Sequence, residues 1–311
     1  MTPVDLGPQF LVIGAARSGT TALYQHLVEH PRLFLTTPKE PHYFALAGTT
    51  PAFTGPGDRQ TINRLAVTDP EAYRALYRAA GPEQVRGEAS VSTMYYPQAV
   101  TRLREEAPGA RLICMLRDPA ERAFSAYGFM RTRGWEPCAT FEEALADEER
   151  RIREGWHHIW HYTAMGRYGE QLRHVLDLFP REQLLVLRYE DMTDDVAAVL
   201  ERVHAFLGVP VLPPTVEPDP HRSGEPRIKF LSRVVSTHHP LKKVVSPLVP
   251  VRLRRRLRRQ IVRRNVVRTT YGDETRRELV ERFRPDVELL ERLTGLDLSA
   301  WRSGERPRGR A

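Results

Sequence analysis

The stretch Gly14-Ala-Ala-Arg-Ser-Gly-Thr-Thr21 carries the first residues that could do chemistry. Its glycine spacing is that of a nucleotide phosphate loop, in which backbone amides and a helix N-terminus cradle an anion. The lysine that would reach β and γ phosphates is missing, because Thr20 stands in its place. The nearest cation is Arg17, two positions before Gly19. A triphosphate hydrolase would therefore lack its main charge clamp. What remains suits a nucleotide with one 5′-phosphate bearing a reactive group, held by the loop amides, Arg17 and the hydroxyls of Ser18, Thr20 and Thr21. The plain alternative is a Gly/Ser/Thr-rich turn between a strand and a helix.

The elements needed to position such a loop are legible around it. Phe10–Ile13 reads as a buried strand, and Leu23 and Leu27 at helical spacing mark the helix beyond the glycines. The pattern repeats at Ala110–Leu116, followed by a helix whose first turn holds Pro119. It repeats again at Leu184–Leu187, followed by Val196–Leu207, which Gly208 closes. A further strand is expected at Val85–Glu88, and helices at Pro70–Ala80, Phe141–Glu154 and Tyr168–Phe179. Strands alternating with helices predict an α/β fold of P-loop type, a mostly parallel sheet flanked by helices. Past the Pro/Gly-rich loop 208–220 only helices are expected, at Ile228–Ser236, Val251–Val266 and Glu274–Leu293. The organisation read from this is one domain over 1–301, with a helical C-terminal part from about residue 228. Residues 302–311 read as a disordered polar tail.

Four segments in order resemble the sulfotransferases that use 3′-phosphoadenosine 5′-phosphosulfate (PAPS). Arg17-Ser18-Gly19-Thr20-Thr21 is similar to that family's 5′-phosphosulfate loop, with arginine for lysine. Arg117-Asp118-Pro119, with Ser125 eight positions after Arg117, resembles its 3′-phosphate motif. An arginine fork and a hydroxyl suit a phosphate dianion. Arg188-Tyr189-Glu190-Asp191-Met192 resembles the element whose tyrosine lies beside the adenine. Lys39-Glu40-Pro41-His42-Tyr43-Phe44 resembles the segment of heparan-type and related bacterial enzymes in which the glutamate is the general base. The resemblance implies PAPS as co-substrate, no metal, and transfer of a sulfuryl group to an acceptor hydroxyl on a small molecule, glycan or lipid-linked molecule. It implies Glu40 as base, with Arg17 and His42 also in the catalytic group, and nucleotide contacts from Arg17 to Thr21, Arg117, Ser125 and Tyr189. Arg227, in a late basic segment, is a further nucleotide contact. An extended segment would project Glu40 and His42 to the same face. Two departures from the heparan-type pattern, Ala45 for an acid and Ala89 for a lysine, weigh against a glycosaminoglycan acceptor.

Composition narrows the setting. The chain has 311 residues, 41% of them hydrophobic, and two cysteines, Cys114 and Cys138. It can bury a large core, and it is too poor in cysteine for a disulfide framework or a four-cysteine zinc site. No apolar run approaches the roughly 20 residues of a membrane span, and no secretory signal pattern opens the sequence. The expectation is a cytoplasmic protein. The net charge is +8, and residues 251–268 hold nine arginines and no acid. This amphipathic stretch, Val251 to Arg268, reads as a solvated face or as a peripheral contact with an anionic membrane. No aromatic stacking platform accompanies it, so nucleic acid is not expected as a partner. His157, His158 and His161, beside Trp156 and Trp160, lack metal-ligand spacing and could line an acceptor pocket. The competing classes are a nucleotide kinase with a degenerate P-loop and a non-catalytic basic membrane-binding protein.

Overall fold

The computed structural model describes residues 7–214 and 270–304, with the backbone of two short paired strands at Glu225–Pro226 and Val266–Val267. These two strands replace part of a region where only helices are expected; Arg227, the expected helix at 228–236, positions 251–265 of the one expected to end at Val266, the arginines of the 251–268 stretch, and 305–311 lie outside the described residues.

The centre is a five-stranded parallel sheet in the order β2-β3-β1-β4-β5. Its strands are β1 (Phe10–Gly14), β2 (Leu33–Leu35), β3 (Val85–Ala89), β4 (Arg111–Leu116) and β5 (Leu184–Arg188). All five residues of β1 are buried, which is what a central parallel strand with both faces covered requires. Alternate side chains supply two cores. Leu11, Ile13, Leu112, Cys114 and Leu116 face one, joined by Val100 and Leu103, Leu172 and Val175, and Phe283 and Leu290. Phe10, Val12, Ile113 and Met115 face the other, where Leu23, Leu27, Val199 and Val203 close over them.

The expected strands and most helices form within a residue or two of their reading, and Gly208 closes Val196–Leu207 in the left-handed conformation. Three expectations change. The helix from Pro70 ends at Ala75. The expected helix 141–154 is broken at Asp147 into Phe141–Ala146 and Glu148–Arg153, and the Asp147 carboxylate takes Arg150 and Arg151. Arg302, assigned to the tail, closes the helix Ser299–Arg302 and pairs with Glu291 at 3.1 Å.

The C-terminal helix Asp273–Thr294 is what holds the site's scaffold together from outside. Its Asp286 accepts from the Gly169 and Glu170 amides at 2.9 Å each, capping the helix Tyr168–Leu178. Its Arg276 grips Asp118 with both terminal nitrogens, at 2.8 and 2.6 Å. Asp118 in turn caps the helix Pro119–Thr132 by accepting from the Ala120 and Glu121 amides at 2.9 and 3.1 Å. The residue just before this clamp is Arg117. Among the described residues no helix is long and apolar enough to cross a membrane.

Candidate active site

β1 lies between β3 and β4, so the chain order reverses there, the place where open α/β sheets hold ligands at their strands' carboxyl ends. Each of those ends delivers a candidate. After β1 come Arg17 and Gly19, both left-handed, with φ of 68° and 88°. Only glycine fits at 19, because a Cβ would sit 2.8 Å from Tyr189 Cδ2. Ser18 and Thr20 are buried, and Thr20 and Thr21 open the helix Thr20–Val28. Arg17 Nε donates to Ser125 Oγ at 3.3 Å, which joins the loop to the Pro119–Thr132 helix. After β4, the Arg117 guanidinium lies 4.9 Å from the centre of the Tyr189 ring, and Tyr189 follows β5. The Tyr168 hydroxyl donates to the Arg117 carbonyl at 3.0 Å. The structure thus brings Arg17, Gly19, Arg117, Ser125 and Tyr189 into one cluster.

Three residues outside the sequence candidates complete it. The Arg17 and Arg133 guanidiniums lie 4.4 and 3.8 Å from the centre of the Phe129 ring. Phe129 and Arg133 stand four apart, a spacing that places them together at the end of one helix. Arg122 is fully buried. Its Nη2 donates to the Tyr162 carbonyl, while Nε and Nη1 meet no acceptor among the described residues. Burial, with the charges of Arg117, Arg133 and Arg122, lowers Arg17 to about 10. It is still protonated at neutral pH. Converging positive charge of this kind is what an oligo-anionic ligand neutralises.

The other half of the site follows β2 and β3. The Glu40 amide donates to the Ala89 carbonyl at 3.0 Å, and Glu40 Oε2 accepts from the Val91 amide at 2.9 Å. Lys39 Nζ is paired with Glu40 Oε1. Val91 shares a small apolar cluster with Ala16 of the first loop, which joins the segment that holds Glu40 to that loop. The segment is not extended as expected. Glu40 and His42 flank Pro41 in the left-handed region, at φ 64° and 57°, and are held there by these bonds and by Ser90 and Ser92. The His42 amide donates to Ser90 Oγ at 3.1 Å, and its Nδ1 is 2.8 Å from Ser92 Oγ.

Electrostatics separate two neighbouring carboxyls. Burial alone would raise Glu40, but the charge of Lys39 and the bonds from Lys39 and Val91 hold it below the usual glutamate value. Burial, partly offset by bonds from Tyr73 and Ser90, pushes Glu88 up to about 8, and Glu40's charge adds to the rise. At neutral pH Glu88 is thus mostly protonated and Glu40 is the ionised member, a division that suits Glu40 to accept a proton. Burial lowers His42 to about 4 despite Glu40's charge, so its ring is neutral.

The comparisons with known proteins can be set against this geometry. A family model described as "Sulfotransferase family" matches residues 8–214, which contain every one of these groups. The chain belongs to the sulfotransferase family. A sulfotransferase from Alicyclobacillus acidocaldarius has a similar structure, with a TM-score of 0.73 and 32% identity over 95% of this chain and 99% of that one. Human carbohydrate sulfotransferase 15 is 29% identical over 250 residues, covering 65% of this chain and 44% of the relative. Human heparan sulfate glucosamine 3-O-sulfotransferase 3B1 is 30% identical over 205 residues, covering 65% of this chain and 46% of the relative. This sulfotransferase spans less than half the length of both curated relatives.

The two departures noted above fall on buried positions: Ala45 and Ala89 are 4% and 0% exposed. The Trp/His cluster borders the Glu40 side, with the His158 ring 5.7 Å from that of His42. Next to it, a cavity of about 870 Å³ is lined by Tyr95, Tyr96, Glu148, His161 and Arg167, and holds none of the phosphate-side candidates. Among the described residues no group of three or more His, Cys, Asp or Glu is arranged to hold a metal.

Proposed function

We propose that this sulfotransferase moves a sulfuryl group from PAPS to an acceptor hydroxyl by in-line displacement, with Glu40 as general base. The observation that supports this reading best is the convergence of Arg17, Ser125, Arg117 and Tyr189 at the ends of β1, β4 and β5, with an ionised Glu40 held by the Val91 amide just after the neighbouring β3. In this reading Arg17, Ser18, Thr20, Thr21 and the loop amides hold the 5′-phosphosulfate. Arg117 and Ser125 hold the 3′-phosphate, and Tyr189 flanks the adenine. Arg227 is retained as a proposed nucleotide contact on sequence grounds alone.

The acceptor oxygen forms a bond to sulfur as the bond from sulfur to the 5′-phosphate oxygen breaks. The electron pair stays on the departing phosphate, where Arg17 and the loop donors stabilise it. The acceptor proton passes to Glu40, which is already ionised and needs no activation. His42, neutral and bonded to Ser92, orients the segment that carries the base. The carbohydrate and heparan sulfate sulfotransferases among the relatives favour a glycan hydroxyl. Ala45 and Ala89 argue against carrying over a glycosaminoglycan acceptor unchanged.

Calorimetry with adenosine 3′,5′-bisphosphate tests the donor half. Binding that persists in a chelator and exceeds that of ATP is expected. Strict dependence on magnesium, or a preference for ATP, would favour the kinase reading instead.

A further inference from the structure

Asp58 and His157 are 99 residues apart in sequence, and neither belongs to the motifs above, yet they form the most fully bonded carboxylate–imidazole contact near the site. Asp58 is fully buried. Its Oδ1 receives His157 Nδ1 at 2.7 Å and Trp160 Nε1 at 2.9 Å. Its Oδ2 receives the Gly55 and His157 amides at 3.0 and 3.1 Å. Burial works to raise Asp58, but these bonds hold it below the usual aspartate value, so it is ionised. An ionised carboxylate can only accept, so Nδ1 of His157 must carry the proton. His157 Nε2 has no hydrogen-bond partner among the described residues. The side chain is 12% exposed, enough to be reached from outside.

The pair faces the acceptor half of the site. The His157 ring is 5.1 Å from that of His158, which is 5.7 Å from that of His42, next to Glu40. Gly57, beside Asp58, is covered by Trp135, whose ring would lie 2.5 Å from a Cβ there. Arg133 lies over Trp135 at 5.4 Å and over Phe129 at 3.8 Å, and Phe129 carries Arg17. A continuous rim of contacts therefore runs from Arg17 through Phe129, Arg133 and Trp135 to Asp58 and His157, and back through His158 to His42.

We propose that Asp58 and His157 form an acceptor-binding pair on this rim, in which His157 Nε2 hydrogen-bonds a hydroxyl of the acceptor other than the one that is sulfated. The pair thus selects an acceptor with at least two hydroxyls. Asp58 is the positioning residue and His157 the one that touches substrate. The inference rests on the sulfuryl-transfer reading above.

His157→Asn is the discriminating variant, because its amide NH₂ can still donate to Asp58 while the distal nitrogen is gone. The assay is release of adenosine 3′,5′-bisphosphate from PAPS, with a glucosamine-containing oligosaccharide and with p-nitrophenol as acceptors. Losing one hydrogen bond worth about 1.4 kcal/mol should raise KM for the oligosaccharide about tenfold. The kcat, bisphosphate affinity and any turnover of p-nitrophenol, which has one hydroxyl, should stay within about twofold. Asp58→Asn should copy the change in KM. An unchanged oligosaccharide KM would overturn the proposal, as would equal losses for both acceptors together with loss of bisphosphate affinity, which would mark the pair as a structural pin. A wild type that binds the bisphosphate yet uses neither acceptor would remove the hydroxyl-transfer reading, and the proposal with it.

Discussion

Replacing Arg276 by methionine removes the far end of the clamp that positions Arg117. The pair it forms with Asp118 is buried on both sides, the side chains being 2% and 1% exposed. In the variant Asp118 Oδ2 loses its only hydrogen bond among the described residues, while Oδ1 keeps those from the Ala120 and Glu121 amides. Breaking a buried pair by deleting one partner costs about 3–5 kcal/mol, and the two surviving amide bonds place this case near the lower figure, about 3 kcal/mol. For a chain of this size that corresponds to a fall in Tm of roughly 5 °C, read by calorimetry or circular dichroism. Since Asp118 caps the helix that carries Ser125 and follows Arg117, affinity for the bisphosphate should fall as well. The cause can be isolated with Asp118→Asn. If the penalty is an uncompensated carboxylate, adding Asp118→Asn to the Arg276→Met variant should restore at least about 1 kcal/mol. A Tm within about 2 °C of wild type, or strictly additive effects of the two changes, would refute the clamp.

Further outcomes follow from the same geometry. Arg117→Ala should weaken adenosine 3′,5′-bisphosphate roughly 10–100-fold, as expected for a charged hydrogen bond, and adenosine 5′-phosphate much less; calorimetry with both compares them. Gly19→Ala should abolish nucleotide binding with little loss of helix content, because its Cβ meets Tyr189 at 2.8 Å and its φ is +88°. Glu40's depressed pKa means that its base form is present above that value, so turnover should be lost only as pH falls through it, below the ordinary glutamate range of about 4.3. An acid limb near neutrality would contradict this. Residues 251–268 should give salt-sensitive co-sedimentation with anionic vesicles, each near-surface arginine contributing on the order of 1 kcal/mol, and glutamine at 255, 256 and 259 should reduce it.

The features legible in the sequence are those fixed by local physics. The loop at 14–21 announces itself because a left-handed glycine and a helix start leave few residue choices, and Gly208 ends its helix for the same reason. The strand Leu33–Leu35 is too short for its alternation to be read. The conformation of Glu40 and His42 was not legible, since the left-handed backbone there is imposed by Ala89, Ser90, Val91 and Ser92, about fifty residues away. Asp58 and Arg276 escaped for a related reason. Their meaning comes from partners 99 and 158 residues distant, and neither sits in a pattern that sequence spacing can show. What could be read was a list of candidate groups, while the contacts that hold them had to be seen in three dimensions.

In the proposed reaction Glu40 takes the acceptor's proton while the arginine cluster holds the donor. The measurement that meets it most directly is transfer of labelled sulfate from PAPS to hydroxyl acceptors by the wild type and by Glu40→Gln, with bisphosphate affinity measured on both. The Gln oxygen can still accept from Val91, so the fold around the position is kept. The account predicts transfer by the wild type, a loss of about 10²–10⁴-fold in kcat for the variant, and bisphosphate affinity within about twofold. No transfer by the wild type, or a variant that retains turnover within a few-fold, would contradict it.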